Sequence, residues 1–168
     1  KVYSAGELVP ALECFGAVAN GTAQMGHDAA YYHTGKSEGC AFFTAFPFGF
    51  TMGEMAAWIK HGNGQKLWDE LYAPFGLRGF QAGSTGTQMF GWFRREIRGL
   101  ADLQGLKFRT PGNQGRVLQK LGVIPVSLPG GEIFPALQSG AIDGAEWVGP
   151  YNDLALGFYQ VCRYYYSP

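Results

Sequence analysis

The chain has no excess charge of either sign: 13 Lys and Arg stand against 13 Asp and Glu in 168 residues. It therefore carries no broad basic footprint for nucleic acid, and any anion it holds must be gripped by a local group. No apolar run is long enough to cross a bilayer as a helix. The three cysteines, Cys14, Cys40 and Cys162, are far apart and match neither zinc nor redox spacing. At least one of them stays unpaired, so no disulfide framework is implied. His27 and His33 with Cys40 form no defensible metal-ligand pattern. Two catalytic signatures are missing, the Gly-x-Ser-x-Gly elbow and the HExxH helix, and Gly62-Asn63-Gly64 lacks the rest of a phosphate loop. There is no initiator Met and no signal peptide, and Lys1-Val2-Tyr3 reads as the end of a strand already under way. The expectation is a truncated or processed chain.

What is present is 46% hydrophobic residues and 15% charged ones, enough to build a core in one domain or two small ones. The clearest pattern runs from Leu106 to Asp153. Leu106–Arg109 reads as a strand, and Thr110-Pro111-Gly112 as a turn. Val117, Leu118 and Leu121 have helical spacing, stopped by Gly122. Val123–Leu128 is a second strand-like run, imperfect at Pro125. After Pro129-Gly130-Gly131, Ile133, Ala136 and Leu137 mark another helix, ended by Gly140. Ala141–Trp147 reads as a third strand. This alternation predicts crossover units and a parallel sheet, with ligands at the carboxyl ends of the strands.

Before that stretch, Leu8, Leu12, Phe15 and Val18 predict a helix ending at Asn20-Gly21. Thr22–Met25 is a strand candidate, His27–Gly39 a polar loop, and Phe42–Phe50 an irregular aromatic segment. Thr51 and Glu54 form a capping box for a helix carrying Met55, Trp58 and Ile59. Leu67, Trp68, Leu71 and Tyr72 mark the next helix, and Leu77–Gln81 a strand. Gly83-Ser84-Thr85-Gly86 is the most linker-like point. Gln88–Phe93 then alternates as a strand, with Gln88, Phe90 and Trp92 on one face. Arg94–Leu103 is a charged connection with a short helix at its end. Pro150–Phe158 is a last helix and Arg163–Tyr166 a last strand.

Two strands end on unusual residues. Arg109 ends the first, where a planar guanidinium matches a carboxylate and a following helix start favours the same charge. From position alone the commoner reading is a surface arginine on a strand end. Glu146 and Trp147 end the third. The carboxylate could hold a metal through oxygen or bond a ligand hydroxyl, and the ring could wall a pocket. The plainer alternatives are a capping acid and a core aromatic. Gln88 could aim its carbonyl oxygen at a cation, or pair with backbone. Asn152 and Asp153 fit the first turn of the last helix, where the dipole favours an acid.

These residues also carry a resemblance. FRTPG at 108–112, LPGGEIFPALQSGAID at 128–143 and EWVGPYNDLALGF at 146–158 resemble the solute receptors of tripartite ATP-independent periplasmic (TRAP) transporters, the DctP-like proteins. The similarity is greatest to the branch that binds 2-oxo acids and related monocarboxylates. Earlier runs agree, among them YSAGELVPALECFGAVANGTAQMGH at 3–27, YYHTGK at 31–36, LWDELYAPFGL at 67–77 and STGTQMFGWF at 84–93.

The resemblance implies an α/β fold of periplasmic-binding-protein type, with two lobes and a ligand cleft between them. Residues 1–83 would be part of the first lobe, which is incomplete, and residues 84–168 the second. Arg109 would clamp the ligand carboxylate. Gln88, Glu146 and Trp147, the last through its backbone carbonyl, would surround a cation, sodium or calcium, that bridges to the ligand. Asn152, and Tyr32 from the opposite lobe, would add hydrogen bonds. No organic cofactor is implied. The expected function is a bacterial periplasmic receptor that captures a small organic acid such as pyruvate and hands it to membrane permease subunits. The alternative is a metal-assisted α/β enzyme acting on a 2-oxo acid, with Glu146 as base. Apolar faces left open near Phe42–Phe50 should be covered by further chain or by a second copy.

Overall fold

The computed structural model describes residues 1–167. The chain divides into two compact units, Lys1–Ser84 and Thr85–Pro168.

The first unit is helical. Helices α1 (Cys14–Ala19), α2 (Met52–His61) and α3 (Gly64–Tyr72) are joined by 3-10 turns at Ala11–Glu13, Ala30–His33, Glu38–Phe43 and Ala73–Phe75. The capping box forms as expected. The Thr51 backbone N–H and hydroxyl donate to Glu54 Oε2, and the Glu54 N–H donates to Thr51 Oγ1. The core gathers Phe15, Cys40, Ile59, Trp68 and Tyr72. Phe43 stacks on Trp58 and Trp68 with ring centroids 5.5 and 4.9 Å apart.

Three expected strands, at Lys1–Tyr3, Thr22–Met25 and Leu77–Gln81, do not form among the described residues. An extended segment needs a neighbour to pair with, and none lies alongside. At Thr22 a local turn also competes, because its N–H and hydroxyl both donate to Asn20 Oδ1, at 3.0 and 2.7 Å. The first helix is shorter than its apolar spacing suggests. Pro10 precedes the opening turn and leaves Leu8 outside it, 39% exposed. The aromatic segment is open to solvent: Phe42, Phe48, Phe50 and Met52 are all exposed, and Phe48 adopts a positive φ of 59°.

The second unit is a mixed sheet in the order β3-β2-β4-β1-β5. Its strands are β1 (Gly91–Phe93), β2 (Lys107–Arg109), β3 (Ile124–Val126), β4 (Gly144–Ala145) and β5 (Tyr164–Tyr166), with α4 (Gly112–Lys120), α5 (Gly130–Ser139) and α6 (Pro150–Leu156) between them. As expected, β2 runs parallel to β3 and β4. β1, which lies outside that alternation, runs antiparallel to β4 and β5 and makes the sheet mixed. The helices α4 and α5 provide the two crossovers, and Gly140 closes α5 in the left-handed region at φ 77°. The third strand is also shorter than read, only Gly144–Ala145; the Glu146 N–H still reaches the Arg109 carbonyl of β2, but the Trp147 carbonyl and the Val148 N–H are taken by the side chains of Gln88 and Asp153.

One face of the sheet packs Phe93, Leu103, Leu106, Phe108, Leu118 and Val123. The other packs Ile133, Leu137, Ile142, Ala145, Phe158 and Cys162. Phe93 and Phe108 stack at 4.9 Å and are 1% exposed, each contributing about 1.5–3 kcal/mol by burial. Phe90 and Trp92 do not share a face. Phe90 packs with Phe93 and Phe108, while Trp92 joins the opposite cluster. Gly91 between them has φ 143°, which breaks the simple alternation. A Cβ there would lie 2.8 Å from both the Ala145 carbonyl oxygen and the Phe108 ring.

Candidate functional site

Arg109 is the last residue of β2, in register with Val126 on one side and Ala145 on the other. This places its side chain on the same face as Ala145, at the carboxyl end of the parallel strands. It is 1% exposed, so a surface arginine is excluded. Its Nη1 donates to Glu146 Oε1 at 2.8 Å and to the Glu146 carbonyl at 3.0 Å, and its Nε donates to the Leu128 carbonyl at 3.0 Å. The guanidinium lies 5.0 Å from the centre of the Trp147 ring. That ring rests on the first turn of α5, where a Cβ on Gly130 would come within 2.7 Å of it.

Glu146 follows β4 directly and is 2% exposed. Burial pushes its carboxyl up to about 7; the Arg109 charge pulls it down, and the nearby Asp153 charge adds to the rise. Gln88 is half-buried and donates its amide N–H to the Trp147 carbonyl at 2.9 Å. That carbonyl keeps a second lone pair, and the Gln88 amide oxygen remains an acceptor. The structure thus brings together Arg109, Glu146, Trp147 and Gln88. Asn152, on α6, is exposed, and no hydrogen bond links it to this group. Tyr32 lies in the first unit, in the turn Ala30–His33, with its ring 4.7 Å from Tyr31.

The donor set can be tested against a cation. No group of three or more His, Cys, Asp or Glu among the described residues could hold a metal. The available donors are one carboxylate, one backbone carbonyl and one side-chain amide, all hard oxygens. Such a set suits sodium or calcium and is wrong for zinc or copper. It is also too small to complete a coordination shell, so water or a ligand would supply the remaining oxygens.

Asp153 is the residue that sequence reasoning undervalued. It is 1% exposed and accepts three hydrogen bonds. Oδ1 takes the Val148 N–H at 3.0 Å, and Oδ2 takes the Trp92 indole N–H and the Tyr165 hydroxyl, both at 3.0 Å. Nothing in the spacing of these residues signals the cluster. It becomes visible only through the pairing of Trp92 with Tyr165 across β1 and β5.

A buried Arg–carboxylate pair lies at the strand ends of this α/β unit, with the Trp147 carbonyl and Gln88 beside it. The model of the family of bacterial extracellular solute-binding proteins, family 7 (DctP), matches residues 1–168, and the chain belongs to that family. It is 49% identical over 166 residues to a monocarboxylate 2-oxoacid-binding periplasmic protein of Nostoc sp., covering 99% of this chain and 46% of that protein. A TRAP transporter solute binding protein from Bordetella bronchiseptica, a mixed-occupancy dimer with copurified calcium and picolinate, superimposes with a TM-score of 0.97 at 44% identity, over 100% of this chain and 50% of that one. A homologue from Pseudoalteromonas atlantica with bound sodium and pyruvate matches with a TM-score of 0.91 at 48% identity, over 94% and 48%. The chain spans about half the length of the relatives it matches. The family is one of binding proteins, so the enzyme alternative is set aside.

Proposed function

We propose that this chain is part of a periplasmic receptor that captures a small monocarboxylate, a 2-oxo acid such as pyruvate, and delivers it to the membrane subunits of a TRAP transporter. The observation that carries this reading is the buried Arg109–Glu146 pair, flanked by the Trp147 carbonyl and Gln88. In this reading Arg109 binds the ligand carboxylate with its charge. Glu146, the Trp147 carbonyl and Gln88 would hold a sodium or calcium ion, which would neutralise charge beside the acid. The Trp147 ring walls the site against water. Asn152 is a further candidate for a hydrogen bond to the acid. Relatives of this chain bind calcium with picolinate and sodium with pyruvate, which supports the same donor chemistry here.

A crystal structure of the protein grown with pyruvate and either cation tests the assignment. The expected density has a carboxylate on Arg109 and an ion touching Glu146, Gln88 and the Trp147 carbonyl. Pyruvate bound away from Arg109 would refute it.

A further inference from the structure

The segment Glu146–Val148 is held at almost every polar backbone atom. The Glu146 N–H donates to the Arg109 carbonyl at 3.2 Å, and the Glu146 carbonyl accepts from Arg109 Nη1. The Trp147 carbonyl accepts from Gln88. The Val148 carbonyl accepts from the Met89 N–H at 2.8 Å. The Val148 N–H is taken by Asp153 Oδ1, whose partner oxygen is bound by Trp92 of β1 and Tyr165 of β5. Trp92 and Tyr165 themselves stack at 4.0 Å. One carboxylate therefore ties two strands to the turn that presents Glu146 and the Trp147 carbonyl. A carboxylate accepts all three donors at once. An amide in its place would aim its own N–H group at one or more of them.

We infer that Asp153 is a positioning residue: it fixes the Glu146–Val148 segment, which carries the Glu146 carboxylate and the Trp147 carbonyl of the proposed site. It acts through Val148, Trp92 and Tyr165 and touches no ligand. This inference rests on the proposed cation and acid site, but its anchor in the backbone can be measured without either ligand.

The test uses the wild type, Asp153→Asn, Trp92→Phe and Tyr165→Phe, all well below their melting temperatures. Amide hydrogen exchange at Val148 and Met89 is read without ligand, and calcium affinity by calorimetry. Asp153→Asn is expected to speed exchange at both amides and to weaken calcium binding about tenfold or more, as for other residues that orient metal ligands. Trp92→Phe and Tyr165→Phe should each give a smaller loss in the same direction. If Asp153→Asn only lowers the melting temperature, with exchange at Val148 unchanged or calcium affinity within about twofold of wild type, the inference is overturned. If the wild type binds no cation, the functional reading fails; faster exchange at Val148 and Met89 would then still support the anchoring role, and unchanged exchange would refute it.

Discussion

Arg109 donates to Glu146 across 2.8 Å, and side-chain exposure is 1% for the arginine and 3% for the glutamate. Such a pair contributes little net stability compared with an apolar core, yet removing one partner strands the other charge. Arg109→Ala is therefore expected to destabilise the protein by about 3–5 kcal/mol, read by urea denaturation. Arg109→Lys keeps the charge but loses the planar fork. It should fold and bind pyruvate about 1.5–3 kcal/mol more weakly, the scale of a charge-assisted hydrogen bond. Unchanged pyruvate affinity in Arg109→Lys would remove Arg109 from the site.

Glu146 gives the protein a pH dependence. Burial raises its carboxyl from 4.5 to about 7 despite the Arg109 charge. Between those values the folded protein holds a proton that the unfolded chain has released. The stability from this group is fully present below about 4.5 and is lost as pH rises through about 7. In cation-free buffer, the urea midpoint of the wild type should fall across this window relative to Glu146→Gln. Parallel pH profiles for the two proteins would contradict the shift.

Much of the second unit is legible in the sequence. The β2-α4-β3-α5-β4 alternation follows from apolar spacing and the glycine stops, and Arg109 and Glu146 stand out because charged residues end apolar runs. What was hidden depends on pairing. The antiparallel placement of β1 is a matter of which strands become neighbours, and Asp153 shows its importance only once Trp92 and Tyr165 lie side by side. In the first unit, the capping box at Thr51 was readable because it is local. The strands expected there failed because a strand is defined by its partner.

Gly91 is where the backbone admits no side chain. Its φ of 143° and the 2.8 Å approach of the Ala145 carbonyl oxygen to any added Cβ both oppose substitution. Gly91→Ala is expected to cost about 1–3 kcal/mol from backbone strain, with more from the clash. Since β1 pairs with β4 directly before Glu146, the variant should also weaken acid binding. A Gly91→Ala protein with an unchanged urea midpoint would show that β1 can shift without penalty.

The proposed site requires that a cation and a 2-oxo acid bind together. The most direct measurement is calorimetric titration of the protein with pyruvate in three buffers: one with calcium, one with sodium, and one with both replaced by a bulky organic cation. Saturable binding in at least one of the first two, lost in the third and lost in Glu146→Gln, is the predicted result. Equal pyruvate affinity in all three buffers, or no pyruvate binding in any of them, would contradict it.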